Sequence, residues 1–328
     1  MIKEKTNSNL SLDLTDDEKK FDEYLEEIKK ASKLCKFNEW DNTAQANVPT
    51  NKKPSIFKKE GRFELLRVPQ GNENYVPINN NYFYNSKYIL GSGGFGFVYY
   101  GADSDRKNEY AIKFQNSSKG QTLNHEIKIL EKLKGEEGFP QIFYHNTFDK
   151  KNFLVETLLG PSLERLFKFC TKTFTPQIVA KLGKEMVIRL RQLHKKGIIH
   201  RDIKPNNFSF GKFHTVINTK NNNEKKKDLI NNFNYFENEI VYLIDFGLSI
   251  EQSENNRNNV RQNNFVGTLR YASLNSHLCV KQGKRDDLES FFYLFCYFYS
   301  GKLPWENLKI KDKRLKEEEV AKRKKKIG

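Results

Sequence analysis

The spacing of apolar residues changes character several times along this 328-residue chain. In residues 15–35, Phe21, Tyr24, Leu25, Ile28 and Leu34 return at helical intervals behind Thr15 and Glu18, which form a capping box. The pattern predicts an amphipathic helix whose apolar face packs on the chain's own domain or docks on a partner. Residues 38–81 lose that rhythm and are rich in Asn, Lys and Pro, as in Asn51-Lys-Lys-Pro54 and Asn79-Asn-Asn81, which predicts a linker. From Tyr82 the β-formers take over. Tyr88-Ile-Leu90 and Phe97-Val-Tyr-Tyr100 flank glycines at 91–96 and predict two strands joined by a tight loop. Residues 178–195 return to helical spacing and end on Lys195, Lys196 and Gly197, a helix stopped by glycine. Residues 212–238, with Asn221-Asn-Asn-Glu-Lys-Lys-Lys227, are too polar to pack and read as a surface insertion. No repeat of 20 to 50 residues is present, which sets solenoid architectures aside.

Composition narrows the class. Hydrophobic residues at 37% and aromatics at 13%, including 26 Phe, supply enough apolar surface for a core and exclude wholesale disorder. The longest apolar run, residues 291–299, is far shorter than the roughly 20 residues of a membrane helix. The first residues lack an apolar signal core, so a soluble intracellular protein, cytoplasmic in location, is expected. Cys35, Cys170, Cys279 and Cys296 lie too far apart in sequence for a zinc or small disulfide framework and read as reduced thiols. A net charge of +16 favours anionic partners. Without an RNA-binding motif or zinc-finger spacing, nucleic acid is disfavoured among them. Residues 322–326 read as a solvated basic tail in preference to a nuclear localisation signal.

Four short strings carry candidate chemistry. Gly91-Ser-Gly93-Gly94-Phe-Gly96-Phe-Val98 matches a glycine loop whose backbone N–H groups can approach triphosphate oxygens. A strand follows it, which argues against a dinucleotide-binding turn. In Tyr110-Ala-Ile-Lys113, 17 residues beyond Gly96, an apolar strand ends in one ammonium that can pair with phosphates while Glu126 holds it. His200-Arg201-Asp202-Ile-Lys204-Pro-Asn-Asn207 offers an acid to receive a hydroxyl proton, a lysine for a γ-phosphate and an amide oxygen for Mg²⁺. Asp245-Phe246-Gly247 follows the apolar residues 240–244, and its carboxylate is the hard ligand that Mg²⁺ takes beside phosphates.

In this order the strings resemble eukaryotic protein kinases. Leu158-Leu-Gly-Pro-Ser-Leu163, Gly267-Thr-Leu-Arg-Tyr-Ala-Ser273, Lys284-Arg-Asp-Asp-Leu-Glu-Ser290 and Gly301-Lys-Leu-Pro-Trp305 are similar to the casein kinase I group. Asn207-Phe-Ser-Phe-Gly-Lys-Phe213 and Phe265-Val-Gly-Thr268 resemble its tau-tubulin kinase branch, the nearest competitor. Like that group, the chain lacks A-P-E and carries Ser273 in that region. The resemblance covers about residues 82–316. It implies an α+β, two-lobed fold: a small antiparallel sheet lobe with one helix over 82–158 and a larger helical lobe over 159–328, after an extension at 1–81. After Lys316 the family domain continues for several helices, so a helical lobe lacking its last helices is expected.

The resemblance further implies ATP and Mg²⁺ as cofactors and protein Ser or Thr as substrate. Lys113 and Glu126 form an ion pair, Asp202 is the base, Lys204 meets the γ-phosphate, and Asn207 and Asp245 hold the metal. Thr268 braces Asp202 and Lys204, Val98 and Ala111 sandwich adenine, Leu159 supplies hinge hydrogen bonds, and Asp287 holds the catalytic loop. Arg270, Lys313 and Lys316 form a pocket for acidic or phosphorylated substrate residues. Glu156 departs from the family by placing a carboxylate where an apolar gatekeeper is usual, and such a group is costly unless paired. A catalytically weak scaffold acting through protein contacts stands as the alternative, with a small-molecule phosphotransferase behind it.

Overall fold

The computed structural model describes residues 74–93, 96–115, 122–211, 239–252 and 264–326. The helix expected at 15–35, the linker up to residue 73 and the insertion at 212–238 lie outside the described residues.

The first lobe is one antiparallel sheet of β1 (Tyr75–Pro77), β2 (Tyr82–Gly93), β3 (Gly96–Asp103), β4 (Glu109–Gln115), β5 (Ile142–Phe148) and β6 (Lys151–Thr157). The strand order is β1-β2-β3-β4-β6-β5, and α1 (Thr122–Lys132) packs against β6 and β5. The sheet therefore begins ahead of the expected boundary at Tyr82. Its Asn-rich approach is a turn: Asn79 Oδ1 accepts from the N–H groups of Asn81 and Tyr82 at 2.9 and 2.8 Å. An Asn side chain mimicking backbone in this way reverses the chain as readily as it fills a linker.

Side chains alternate across a strand, and directly opposed residues of neighbouring strands share a face. One face of this sheet buries Tyr110, Ile112, Phe114, Phe153 and Val155, with Tyr84 and Tyr99 packed against them. The opposite face carries Ala111 and Lys113. Lys113 stands opposite Val98, and Ala111 stands opposite Glu156. Parity alone thus delivers Val98, Ala111, Lys113 and Glu156 to a common surface.

The second lobe is helical, with α2 (Leu163–Phe169), α3 (Pro176–Lys195), α4 (Leu274–His277), α5 (Lys284–Ser300) and α6 (Lys313–Lys325). α3 matches the helix expected at 178–195 and starts two residues earlier. Thr175 caps it by accepting from Ile178 N–H at 3.4 Å, and Pro176 opens its first turn. Gly197, at φ 71°, takes the left-handed conformation beyond its end. α3 packs on α5 at Gly183, where an added Cβ would lie 2.8 Å from the Phe295 ring. Phe167 of α2 meets Tyr297 and Phe298 of α5 with ring centroids 5.1 and 5.0 Å apart. Each such buried side chain contributes about 1.5–3 kcal/mol. Among the described residues no helix is long and apolar enough to cross a membrane.

Two short ladders complete the lobe: β7 (Ile198–Ile199) with β10 (Ile250–Glu251), and β8 (Phe208–Phe210) with β9 (Val241–Leu243). They fix the loops that bear the strings at 200–207 and 245–247. The expected basic tail is solvated at Lys322, Lys325 and Lys326 but not throughout. Residues 322–325 form the last turn of α6, where Lys324 is only 2% exposed and Arg323 donates to Pro304 O at 2.9 Å.

Candidate active site

Between the lobes lies a cleft of about 550 Å³ lined by Leu90, Gly91, Ser92, Gly96, Val98, Ala111, Lys113, Glu126, Leu159, Lys204, Asn207, Asp245 and Thr268, among others. Every expected catalytic, metal and nucleotide residue within the described chain lines it, apart from Gly93 and from Asp202, which hydrogen-bonds to the lining residues Lys204, Asn207 and Thr268. Gly94 lies outside the described residues. Gly93 pairs with Gly96 to close the β2–β3 hairpin. At Gly91 an added Cβ would meet nothing within 4 Å, so no contact within the protein demands glycine there.

Lys113 donates to Glu126 Oε1 and Oε2 at 2.8 and 2.6 Å and to Asp245 Oδ1 at 3.2 Å. Burial opposes its charge, but Asp245 and Glu126, with Glu156, outweigh it and hold the ammonium above its ordinary range. Asp245 is the converse case. Burial alone would raise its carboxyl, and Lys113 and Lys204 instead keep it below the ordinary range. Glu156, half-buried at the wall, makes no hydrogen bond to Lys113. Burial first, and then the charge of Glu126, push it up to about 8.

Asp202 is held from three sides. Its Oδ1 accepts from Thr268 Oγ1 at 2.7 Å, its Oδ2 accepts from Lys204 Nζ at 2.5 Å, and its carbonyl accepts from Asn207 Nδ2 at 2.9 Å. Thr268 thus braces Asp202, while no hydrogen bond joins it to Lys204 among the described residues. His200 Nδ1 accepts from Asp202 N–H at 3.3 Å, so its Nε2 carries the proton donated to Ile244 O at 3.1 Å. Beneath the loop, Asp287 of α5 accepts from the N–H groups of His200 and Arg201, both at 2.8 Å. Arg201 and Asp245 both sit at φ 67°, a left-handed backbone that side chains resist and that the surrounding bonds impose.

The donor set fits a hard divalent cation beside phosphates. With Asn207 Nδ2 tied to Asp202, the amide oxygen is left for a metal, next to the Asp245 carboxylate. Two oxygen ligands suit Mg²⁺, which keeps several waters and phosphate oxygens in its shell. Neither the N–H nor the C=O of Leu159 has a protein partner among the described residues, whereas Gly160 N–H donates to Phe210 O at 2.9 Å.

The three expected anion-binding residues fare differently. Arg270 Nε lies 3.3 Å from Glu306 Oε1, and its guanidinium packs against the Tyr271 and Tyr297 rings at 5.8 and 5.3 Å. Lys313, 91% exposed, pairs with Glu317 at 3.9 Å, so two members of the set already have carboxylate partners. Lys316 is half-buried on α6. Sequence reasoning missed Leu90 and Ile244, apolar residues that line the cleft. Their adjacency to Gly91 and Asp245 was the available signal. It also missed Arg165, which lines the cleft from the first turn of α2 and which nothing in the sequence marks.

A sheet lobe and a helical lobe closing on a lysine–glutamate pair, two metal-competent oxygens and a braced aspartate define a nucleotide-dependent phosphotransferase. The family model for the protein kinase domain matches residues 84–327, so the chain belongs to the protein kinase family. Membership implies ATP as phosphate donor and proteins as substrates.

Proposed function

We propose that this kinase phosphorylates Ser and Thr, that it belongs to the casein kinase I group, and that Asp202 is its catalytic base. The observation that carries the reading is the setting of Asp202: with Oδ1 fixed by Thr268 and Oδ2 by Lys204, its carboxylate is aimed before any substrate arrives. Asp202 orients the incoming hydroxyl and takes its proton. Lys204 steadies the γ-phosphate, and Lys113, positioned by Glu126, neutralises the other phosphates. A divalent ion held by Asp245 and Asn207 would screen phosphate charge during transfer. Val98 and Ala111 cover the base, and Leu159 meets its edge. Lys204, two residues after Asp202, supports Ser/Thr over Tyr. For the group, support comes from Ser273, whose hydroxyl donates to Asp286 Oδ1 at 2.7 Å and ties two of its signature strings together. Acidic or phosphorylated residues near the acceptor are the preferred substrates, with Arg270 as the leading anion contact.

The test is transfer from Mg-ATP to casein and to Ser, Thr and Tyr peptides. Asp202→Asn should lower turnover roughly 10²–10⁴-fold, the usual worth of a general base. Labelling by wild type no higher than by Asp245→Ala would make the protein a scaffold, and near-normal transfer by Asp202→Asn would remove that residue from its role.

A further inference from the structure

We propose that Lys324 is a positioning residue for phosphoryl transfer: from the last turn of α6 it clamps the main chain of residues 268–277 and thereby sets the hydroxyl of Thr268 against Asp202. This deepens the reading above and rests on the roles given there to Thr268 and Asp202.

The Lys324 side chain leaves solvent altogether, at 2% exposure. Its Nζ donates to Leu269 O at 3.0 Å and Ala272 O at 2.6 Å, and lies 3.1 Å from His277 Nε2. The rings of Tyr293 and Trp305 flank it at 4.9 and 5.1 Å. An ammonium has three donors and here meets three acceptors, all on the segment that begins with Thr268. No carboxylate hydrogen-bonds to it among the described residues. A buried lysine without an ion-pair partner is a costly way to fill space, and an apolar side chain would fill it at lower cost. The ammonium does what an apolar group cannot, which is to hold two carbonyls and an imidazole from one point.

Thr268 O accepts from the N–H groups of Tyr271 and Ala272, Arg270 O accepts from Trp305 Nε1 at 2.7 Å, and Ser273 O accepts from His277 N–H. Leu269 O and Ala272 O have no other partner than Lys324 among the described residues. Gly267, at φ 115°, presses on the catalytic loop, since an added Cβ there would lie 2.8 Å from Arg201 O. Thr268 therefore sits between a tight backbone approach on one side and the lysine clamp on the other.

The clamp closes in either protonation state. Burial pushes the Lys324 ammonium down to about 7 against the pull of Glu289, and burial with the charge of Lys324 pushes His277 down to about 3, so the imidazole is neutral. As an ammonium, Lys324 donates all three bonds. As an amine, it keeps two N–H donors for the carbonyls, and its lone pair accepts from the other tautomer of His277.

The experiment compares wild type, Lys324→Met and Lys324→Arg by steady-state kinetics and by amide hydrogen exchange across residues 268–277. Lys324→Met should lower kcat/KM for a Ser peptide roughly 10- to 100-fold, the effect of small displacements around a reacting group, with KM for ATP changed by less than about twofold. Exchange should quicken in 268–277 ahead of the rest of the chain, and Lys324→Arg should give a peptide kcat/KM between those of wild type and Lys324→Met. If Lys324→Met does not fold, a lowered peptide kcat/KM in Lys324→Arg with an unchanged KM for ATP supports the clamp, and wild-type kinetics in that variant overturn it. Unchanged peptide kinetics, or equal losses for ATP and peptide with exchange quickened everywhere, would reduce Lys324 to a structural residue. Should wild type transfer nothing to any peptide, the proposed function fails by itself, and local against global exchange still decides the clamp.

Discussion

Glu156 places a third carboxyl beside an ammonium that Glu126 and Asp245 already share. Burial first, and then the negative charge of Glu126, disfavour ionisation of a third carboxyl there, and the one that makes no hydrogen bond to the lysine holds its proton. That is Glu156, pushed up to about 8 from an ordinary 4.5. An acid whose folded pKa lies above its unfolded value binds more protons in the folded state between the two, so stability falls as pH rises through that window. In metal-free buffer, the melting temperature of wild type should therefore drop between about pH 5 and 8, and Glu156→Gln, which cannot titrate, should flatten that stretch. Parallel profiles for the two proteins would show that Glu156 is ionised throughout. The presence of Glu156 in the cleft follows from sheet parity opposite Ala111, which requires knowing the β4–β6 register. No local pattern in the sequence supplies that register, and only the resemblance to kinases, which puts Glu156 at the gatekeeper position, pointed to the cleft.

Among the elements, α5 does two jobs with its first turn. Asp286 accepts from Ser273 Oγ and from Gly283 N–H at 2.7 Å each, and Asp287 takes the N–H groups of His200 and Arg201. Hydrogen bonds to a charged group are worth about 1.5–3 kcal/mol, and orphaned buried donors cost a comparable amount. Asp287→Ala should therefore destabilise the protein by at least about 2 kcal/mol in urea unfolding. Asp287→Asn, which keeps one acceptor oxygen, should lose less. Equal losses would mean that the carboxylate does not hold the loop. Elements of this kind divide into those a sequence discloses and those it does not. The strings around Gly91, Lys113, Asp202 and Asp245 were legible because phosphate chemistry demands specific groups at short spacings. The α3 helix was legible because its apolar period is long and Gly197 stops it. β1 was not, because Asn79 and its neighbours make a turn from the same residues that make a linker. Lys324 was not either, because a lysine within a basic run is solvated unless distant segments converge on it. Here Leu269, Ala272, His277, Tyr293 and Trp305 do converge.

At the scale of the whole molecule, a net charge of +16 acts on every approaching substrate before any contact forms. A field of that sign concentrates acidic peptides and speeds their encounter, and added salt screens it, with a Debye length falling from about 30 Å at 0.01 M to about 3 Å at 1 M. The proposed anion contact at Arg270 would be a separate, local contribution: it already shares Glu306, and an incoming phosphate would have to compete for it. The two effects can be separated. Raising ionic strength from about 0.02 to 0.5 M should lower kcat/KM for an acidic or phosphorylated peptide several-fold and leave a neutral Ser peptide nearly unchanged. Arg270→Glu should reduce phosphorylation of the phosphorylated peptide far more than of its unmodified counterpart, and that selectivity should persist at high salt, because a close guanidinium–phosphate contact is screened much less than a distant charge. Equal losses for both peptides would assign acidic preference to the overall field alone. Salt-independent rates for the acidic peptide in wild type would leave Arg270 and its immediate neighbours as its sole source.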